Sequence, residues 1–225
     1  MRIAVLTGAG ISAESGLSTF RDAGGLWEGH DIYEAASIDG YKRNPQLVLE
    51  FYNMRRKQLK EVTPNAAHYS LAALESKHHV KIITQNVDDL HERAGSKSVI
   101  HLHGELFKVR SSLNPSLIYD WFDDLSQENK CELGSPLRPH IVWFGEEVPL
   151  IPLAAEIVAN CELLLVIGTS LLVYPAASLI HYTDCPIIYI DQNPASISSI
   201  PESKLKVYAS KATTGLASCI EDLRL

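Results

Sequence analysis

Glycines and a serine at fixed spacing follow the first apolar segment of the chain. Gly8, Gly10 and Ala13 fit the pattern G-x-G-x-x-A directly after the apolar run Arg2–Leu6, and Ser12 lies within the pattern. Glycines there allow the backbone to approach a pyrophosphate at a helix N-terminus. The same residues also form tight turns that bind nothing, so the motif alone is a weak indication. An ordinary hydride-transfer site is disfavoured, because it needs an acidic residue at a second strand end and Glu28–Glu34 is not a strand end.

A second polar cluster begins where another apolar run, Val80–Thr84, stops. Gln85, Asn86 and Asp88 follow this run at once. Amide and carboxylate side chains at one strand end can bind a ribose or a carboxamide. The alternative is structural, with Asn86 or Asp88 capping the helix that comes next.

Two histidines lie close together at a third strand end. His101 and His103 are two residues apart, so a strand projects both side chains to the same side. Since an imidazole titrates at about 6.5, either could act as a general base at neutral pH. A metal pair and a buried core histidine are the alternatives, although we find no carboxylate or thiol nearby at the spacing of a zinc site. Gly104 indicates close approach of a ligand to the backbone.

Two more strand ends carry small polar residues. Gly168–Ser170 comes after the apolar run Leu163–Ile167, and Asp191–Asn193 comes after Ile187–Ile190. Hydroxyl and amide groups there suit phosphate or ribose contacts, while a capped turn is the alternative. The convergence of four such strand ends on one edge of a sheet is stronger evidence than any single motif.

The apolar runs predict a parallel sheet. Short runs rich in Leu and β-branched residues are typical of buried strands, and they occur at Arg2–Leu6, Val80–Thr84, Val99–Leu102, Leu163–Ile167, Ile187–Ile190 and Val207–Ala209. Helical spacing lies between or after them, at Asn65–Lys77, Pro149–Ala159, Ala176–His181 and Ala212–Leu223. This alternation predicts an α/β fold with a Rossmann-type parallel sheet and helices on both faces.

Two stretches interrupt the alternation and are too long to be plain connections. The first contains no predicted strand, and its core, Pro45–Glu61, has the pattern of one helix with a proline near its start. The second is polar and weakly periodic. We therefore predict a sheet domain and a small lobe, formed by residues 1–23, 65–106 and 139–225 and by residues 24–64 and 107–138, respectively.

Charge and cysteine content exclude several classes of protein. The 225 residues include 20 Lys and Arg against 27 Asp and Glu, which gives a net charge of −7. Such a chain is unsuited to broad binding of nucleic-acid phosphates. No apolar run reaches the roughly 18 residues of a membrane span, and the four cysteines form no CxxC pair. We therefore predict a cytoplasmic protein with reduced cysteines and with no membrane or nucleic-acid partner. A monomer is the default expectation, because the sequence shows no surface stripe that can be identified as an interface.

Taken together, the motifs resemble those of the sirtuins, the NAD-dependent protein lysine deacylases. The matching segments span the chain in the family's order: GAGISAESGLSTFR at 8–21, TQNVDDLH at 84–91, HLHGEL at 101–106, LRPHIVWFGE at 137–146 and GTSLLVYPAA at 168–177. The resemblance implies an inverted Rossmann domain with a small lobe built from a helical insertion and a zinc-ribbon insertion. It also implies that NAD and an acyl-lysine peptide meet between the two.

The resemblance implies a role for each matching residue. His103 would be the general base, and Asn86 would be the second catalytic residue. The cofactor-binding residues would be Gly8, Ala9, Gly10, Ser12, Phe20, Arg21, Trp27, Gln85, Asn86, Asp88, Gly168, Thr169, Ser170, Asn193 and Ala212. The substrate-binding residues would be Tyr52, Arg55, Val142, Phe144, Gly145, Glu146, Leu172 and Val173, with the peptide backbone held as a strand between two strands.

The implied reaction removes an acyl group from lysine and releases nicotinamide and O-acyl-ADP-ribose. Two alternatives use the same NAD site, namely a protein ADP-ribosyltransferase and a non-catalytic NAD sensor. His103 favours deacylation over transfer, because transfer to a protein nucleophile does not need this base. The presence of Gln85, Asn86, Asp88 and His103 argues against a sensor.

The second insertion departs from the family pattern. Sirtuins usually carry two CxxC pairs there that bind a structural zinc, whereas this chain has Val109–Asn114 without cysteine and then Cys131 alone. One thiolate cannot make a four-ligand zinc site. We therefore expect no zinc, and a lobe held by the packing of Leu117, Tyr119, Trp121, Phe122 and Leu125.

A pair of residues on the predicted helix of the first insertion indicates the acyl preference. Tyr52 and Arg55 are three residues apart and so share a helix face. They match the Tyr-x-x-Arg pair of sirtuins that accept succinyl- and malonyl-lysine, in which the arginine pairs with the acyl carboxylate. The alternative is a solvated basic face, since Arg56, Lys57 and Lys60 come next.

Overall fold

The computed structural model describes residues 1–18, 26–27 and 30–225. Its strands are β1 (Arg2–Thr7), β2 (Leu26–Trp27), β3 (His30–Asp31), β4 (His79–Thr84), β5 (Val99–His101), β6 (Gly104–Ser111), β7 (Ile118–Asp120), β8 (Leu137–Ile141), β9 (Leu163–Ile167), β10 (Ile187–Asp191) and β11 (Leu205–Ala209). Its α-helices are α1 (Ile32–Ala35), α2 (Ile38–Arg43), α3 (Pro45–Glu61), α4 (Ala66–Leu74), α5 (Leu90–Arg93), α6 (Ile151–Ala159) and α7 (Ala212–Leu223). Among these helices, none is both long enough and apolar enough to cross a bilayer.

Six of the strands form the predicted parallel sheet, in the order β11-β10-β9-β1-β4-β5. Every neighbouring pair in this sheet is parallel. Numbered along the chain among themselves, the strands run 3-2-1-4-5-6 from the β5 edge, which is the order of dinucleotide-binding domains. The order reverses between β1 and β9, so a crevice for ligands is expected at the carboxyl ends of those two strands.

Helices cover both faces of this sheet, as predicted. Alternate residues of a strand point to opposite faces, and β1 shows this with Ile3 and Val5 in one core cluster and Ala4 and Leu6 in the other. The first cluster is closed by α4 and α7. The second is closed by α6 and by the 3-10 helix Ala176–His181, a segment expected as an α-helix. Burial on both faces explains why these strands are continuous apolar runs rather than alternating ones.

The predicted helix of the first insertion is α3, with the predicted bounds. Asn44 accepts a hydrogen bond from the N–H of Leu47 and so caps the helix, and Pro45 occupies the first helical turn. Its buried side chains include Val48, Phe51 and Tyr52. They pack against a cluster that includes the end of β8, so the helix lies over the junction of the two sheets.

The prediction that the first insertion has no strand is wrong, because β2 and β3 form a two-residue antiparallel ladder. The helices α1 and α2, which come after the ladder, were not predicted either. In the second insertion, β6 pairs with both β7 and β8 in an antiparallel sheet. Because β6 begins at Gly104, this sheet starts before the predicted boundary at residue 107.

The core of the antiparallel sheet is apolar. Leu125 is buried there with Leu49, Val109, Cys131 and Leu137, and the expected Leu117, Tyr119 and Trp121 pack at its margin. Phe122 does not join this cluster, since it is 56% exposed. Its ring lies 5.1 Å from that of Phe107 instead.

Serines surround the single cysteine of this sheet. The Sγ of Cys131 lies 3.4 Å from the Oγ of Ser111 and 3.2 Å from the Oγ of Ser135, and the two hydroxyls are 2.8 Å apart. These hydrogen bonds lower the pKa of the Cys131 thiol to about 7. In the described part of the chain, no three His, Cys, Asp or Glu side chains are grouped as a metal would require.

We predict that a chelator leaves the stability of the protein unchanged. Packing and the hydrogen bonds around Cys131 hold the antiparallel sheet, so incubation with EDTA is expected to shift the Tm by less than about 1 °C. The measurement is a thermal melt with and without EDTA, together with elemental analysis. One zinc per chain, or a Tm that falls on chelation and recovers with added zinc, would refute the prediction.

Candidate active site

The loops after β1 and β9 meet at the switch point of the sheet, which is the place between these two strands where the strand order reverses. The N–H of Gly10 donates to the carbonyl of Gly168 at 2.8 Å. A Cβ built on Gly10 would lie 2.7 Å from the Cα of Gly168, and one on Gly168 would lie 2.3 Å from the nitrogen of Ile11. The glycines are therefore required first by the contact between the two loops. After β1 the chain forms two short 3-10 turns, Ala9–Ile11 and Ala13–Ser15, rather than the expected helix.

Side chains from two strand ends join in a buried hydrogen-bonded cluster. The hydroxyl of Ser12 donates to Oδ2 of Asp88 at 3.0 Å and accepts from Nδ2 of Asn86 at 3.1 Å. The other Asp88 oxygen accepts from the N–H of Leu90 at 3.2 Å, so the structural alternative for Asp88 is also partly correct. Burial raises the pKa of Asp88, although these hydrogen bonds oppose the rise.

A second link joins the end of β4 to the end of β9. Nε2 of Gln85 donates to the hydroxyl of Thr169 at 3.0 Å, and the N–H of Gln85 donates to the carbonyl of Thr7 at 2.9 Å. Tyr189 of β10 holds Thr169 in place, because its hydroxyl donates to the Thr169 carbonyl at 2.9 Å. Residues from β1, β4, β9 and β10 thus meet at one edge, as the sequence predicted.

His103 is held in one tautomer. Its Nδ1 lies 3.0 Å from the carbonyl oxygen of Gln85. A carbonyl can only accept, so Nδ1 carries the hydrogen and Nε2 keeps its lone pair. Burial lowers the pKa of His103, and the Gln85 carbonyl offsets only part of this effect. The imidazole is therefore neutral at neutral pH, as a general base must be.

His101 has a different environment, although it lies only two residues away. Its Nδ1 is 3.0 Å from the carbonyl of Asn86, and its Nε2 is 2.8 Å from Oε1 of Glu92. Both partners are acceptors, so the ring donates through both nitrogens as an imidazolium. Burial alone would lower the pKa of His101, but the bond to Glu92 and its charge outweigh burial and raise it. No sequence pattern indicated a role for Glu92.

Two further histidines belong to the core. His68 and His91 are fully buried, and their rings are 4.9 Å apart. Burial lowers the pKa of His68 to about 4 and that of His91 well below its ordinary value. Both rings are therefore neutral and structural. Nε2 of His91 lies 3.1 Å from the hydroxyl of Thr7, at the end of β1.

The predicted substrate segment 142–146 begins beside His103. The N–H of Val142 donates to the carbonyl of His103 at 2.9 Å. Further along, the N–H of Phe144 donates to the carbonyl of Ala36, and the carbonyl of Phe144 accepts from Ile38. The backbone N–H and carbonyl of Phe144 are thus already paired within the protein.

Glu146 has an internal role that the sequence did not indicate. Its carboxylate accepts from Arg138 at 2.6 and 2.9 Å, from Arg110 at 3.4 Å and from the N–H of Trp143 at 2.9 Å. The guanidinium of Arg138 stacks 3.6 Å above the Trp143 ring. These contacts fix Trp143, so the side chain of Glu146 supports the conformation of the predicted substrate segment.

Trp143 connects this network to the predicted acyl pair. Its Nε1 donates to the hydroxyl of Tyr52 at 3.0 Å. Arg55 lies one turn further along α3, where its Nη1 donates to Oε1 of Gln58 at 2.9 Å. Arg55 is only 6% exposed and Arg56 only 1%, so the solvated-face alternative is wrong for these two residues.

The remaining predicted cofactor-binding and substrate-binding residues differ in burial and in their contacts. Gly8 is buried beside Thr169, while Ala9, Ser170 and Val173 are partly exposed. The N–H of Asn193 donates to Asp191 at the end of β10, and Ala212 begins α7 within the core. Gly145 and Leu172 are exposed. Phe20 and Arg21 lie outside the described residues, and only the strand pairing of Trp27 is described.

Comparisons with known proteins support one family. A family model described as Sir2 family matches residues 8–175. A Helicobacter pylori protein named NAD-dependent protein deacylase is 61% identical over 191 residues, which is 84% of this chain and 82% of that protein. A Bacteroides thetaiotaomicron protein with the same name is 52% identical and covers 85% of this chain and 86% of its own length.

Solved structures agree with the sequence comparisons. A structure described as a Sir2 homolog–NAD complex matches with a TM-score of 0.86 at 36% identity, over 99% of this chain and 89% of that one. One described as Sir2 bound to acetylated peptide matches with a TM-score of 0.81 at 28% identity, over 99% of this chain and 93% of that one. With its Rossmann strand order and its converging strand ends, the chain belongs to the Sir2 family.

Proposed function

We propose that this protein is an NAD-dependent protein lysine deacylase. The observation that carries the proposal is the state of His103, a neutral imidazole with Nδ1–H fixed on the Gln85 carbonyl and Nε2 left as a base. Val142, the first residue of the proposed peptide segment, is hydrogen-bonded to the backbone of His103. The relatives named NAD-dependent protein deacylase support the same reaction class.

The donors and acceptors at the switch point suit NAD. Hydroxyls of Ser12 and Thr169 and amides of Gln85 and Asn86 stand beside the loop of Gly8–Gly10, and this set matches ribose hydroxyls, a carboxamide and a pyrophosphate. We propose that Gly8, Ala9, Gly10 and Ser12 hold the pyrophosphate and that Asp88 binds the carboxamide. Gln85 and Asn86 would bind the ribose beside the nicotinamide, and Asn193 and Ala212 would flank the adenosine. When bound, NAD supplies an electrophilic ribose carbon with nicotinamide as the leaving group.

The chain contributes positioning and one proton transfer. Nε2 of His103 accepts a proton from a ribose hydroxyl, which frees that oxygen to attack the acyl carbon. Asn86 is fixed on both sides, its side chain by Ser12 and its carbonyl by His101, so it can orient the ribose without reorganising. Burial of Asn86, Asp88 and Thr169 shields this edge from water.

The acyl-lysine peptide is proposed to enter beside Gly145, Leu172 and Val173. Leu172 is 75% exposed on the loop after β9, which leaves it open to a partner. An extended peptide between two protein segments is a common recognition mode. We also propose that the protein acts in the cytoplasm, since the spacing of its cysteines is typical of reduced thiols.

We further propose that acidic acyl groups are preferred substrates. A series of contacts leads from the base to the pair on α3: His103 holds Val142, the next residue is Trp143, and Trp143 holds Tyr52. Arg55 lies on the same face of α3 as Tyr52 and is buried with it. The carboxylate of a succinyl group would lose its hydration on entering the proposed acyl site beside Tyr52 and Arg55. Pairing with the Arg55 cation would offset this desolvation cost.

Replacing His103 tests the base. The His103→Ala variant is expected to lose about 10²–10⁴-fold in deacylation rate while it still binds NAD, because only proton transfer is removed. Mass spectrometry of acetyl- and succinyl-lysine peptides incubated with NAD measures deacylated peptide and O-acyl-ADP-ribose. His79→Ala is the matched control, since His79 is exposed at the opposite end of β4. Full turnover in His103→Ala, or ADP-ribosylated protein as the main product of wild type, contradicts the proposal.

Replacing Glu92 tests the support of Asn86 by His101. Because its pKa is raised, His101 keeps its second N–H to higher pH than an ordinary imidazole, and one of its two hydrogen bonds is lost as the pH rises through that pKa. Glu92→Gln removes the charge that raises the pKa of His101, so the alkaline limb of the pH profile of kcat/KM is expected to move to lower pH. The acid limb, set by His103, should stay in place. An unmoved alkaline limb would show that the pair does not act on the reaction.

Replacing Arg55 tests the acyl preference. Arg55→Met is expected to lower the ratio of succinyl to acetyl kcat/KM by roughly 10–150-fold, because a charge-assisted hydrogen bond contributes about 1.5–3 kcal/mol. Lys57→Met is the control, since it removes the same charge from the exposed side of α3. Tyr52→Phe should weaken both substrates, because it also leaves Nε1 of Trp143 without its acceptor. An unchanged ratio in Arg55→Met would make Arg55 a structural residue.

A further inference from the structure

Two cysteines meet at the edge of the parallel sheet that lies opposite the candidate active site. Cys161 stands between α6 and the start of β9, and Cys185 stands just before the start of β10. The two strands are parallel neighbours, so their amino ends lie side by side. The Sγ atoms of Cys161 and Cys185 are 3.4 Å apart, which is van der Waals contact between sulfurs. Both cysteines are free thiols.

The surroundings of the pair combine partial burial with access for a small molecule. Cys185 lines a cavity of about 170 Å³ together with polar residues that include Thr183, Ser199 and Lys204. Both cysteines are partly buried, and the thiol of Cys161 donates to the carbonyl of Val158 at 3.1 Å. Cys185 lines this cavity and Cys161 does not, so a small oxidant that enters the cavity meets Cys185 first.

We propose that Cys161 and Cys185 form a reversible modification site, an intramolecular disulfide made by a hydroperoxide such as hydrogen peroxide. The thiolate of Cys185 attacks one peroxide oxygen, the O–O bond breaks, and a sulfenic acid forms with release of water. The sulfur of Cys161 then displaces the sulfenic oxygen as a second water and forms the S–S bond. Two thiols and one peroxide become one disulfide and two waters, so two electrons pass from sulfur to oxygen.

The fold allows this bond without moving the sheet. Each cysteine lies two residues before its strand. Neighbouring strands lie about 4.8 Å apart, which is within the roughly 4.4–6.8 Å that a disulfide spans between Cα atoms. The sulfurs need to close only from contact distance to a bond of about 2.05 Å. Burial and the neighbouring Cys185 raise the pKa of the Cys161 thiol to about 11, which agrees with Cys185 as the first thiol to react.

The bond would stabilise the sheet without touching the candidate active site. It would tie the start of β9 to the start of β10 and close a loop that contains β9 and the segment Gly168–Ser170. Closing a loop of this length restricts the unfolded chain, which raises stability. Gly168 lies at the carboxyl end of β9, a full strand away from Cys161, so turnover should be unaffected.

The test uses the full chain treated with hydrogen peroxide. We expect a mass loss of two hydrogen atoms per chain, a peptide in which Cys161 is joined to Cys185 on non-reducing digestion, and a rise of about 5–10 °C in Tm that dithiothreitol reverses. The rate of deacylation, or of any other activity found, should stay within about two-fold of that of the reduced protein. This experiment does not depend on the proposed function.

Matched variants locate the bond. Cys161→Ser and Cys185→Ser should each abolish the mass loss and the rise in Tm, whereas Cys131→Ser, which removes a thiol of the other sheet, should keep both. The proposal is overturned if the oxidised wild type retains both thiols, carries only sulfinic or sulfonic acids, or joins either cysteine to another chain. Because the wild-type peptide map decides the question alone, a variant that fails to fold does not prevent the test.

Discussion

The close backbone contact between the loops after β1 and β9 is the constraint on which the candidate site depends. At this contact a Cβ on Gly10 or Gly168 would overlap the opposite backbone, and Gly168 also has a φ of +63°. The contact holds the two strand ends together at the switch point. As a result Ser12 reaches Asn86 and Asp88 on one side, and Thr169 reaches Gln85 on the other. The contact between two glycines thereby aligns five polar side chains.

A second constraint places the proposed base where the two sheets join. Gly104 comes directly after His103 with a φ of +84°, and a Cβ on it would lie 1.9 Å from the carbonyl oxygen of His140. The chain can therefore leave the parallel sheet after β5 and enter the antiparallel sheet as β6 with β8 close beside it. His103 stands at this crossing, between the Gln85 carbonyl of one sheet and the Val142 N–H at the end of the other.

The sequence predicted the parallel sheet well, because strands buried on both faces occur as short apolar runs between helical patterns. It also predicted that polar strand ends converge, since parallel strands with crossover helices all end at one edge. It did not predict the antiparallel sheet, whose strands are partly exposed and pair across long separations. Nor did it reveal the bond between Glu92 and His101 or the contact of Cys161 with Cys185, because each joins residues from different elements through the fold alone.

The contacts of Trp143 illustrate the same limit inside a recognised motif. Its segment was expected to bind peptide, yet its conformation depends on Arg138 and Glu146, and Arg110 adds a second cation to Glu146. One carboxylate shared by two arginines leaves a net positive charge beside Trp143. Nothing in the local pattern of apolar and polar residues distinguishes such a support from a substrate ligand, since both are charged residues beside an exposed loop.

Buried charges of opposite sign lie at the proposed NAD site and at the proposed acyl site. Within the described residues, the buried arginines are Arg55, Arg56 and Arg138, and the buried carboxylates are Asp88 and Asp191. The carboxylates stand at the strand ends of the parallel sheet, where acceptors suit the hydroxyl and amide donors of a dinucleotide. The arginines lie along α3 and β8, on the side proposed for the acyl chain. Although the net charge of the protein is −7, these arginines create a positive potential where an acidic acyl group would need one. Buried charges interact more strongly than the solvated surface charges that determine most of the net charge.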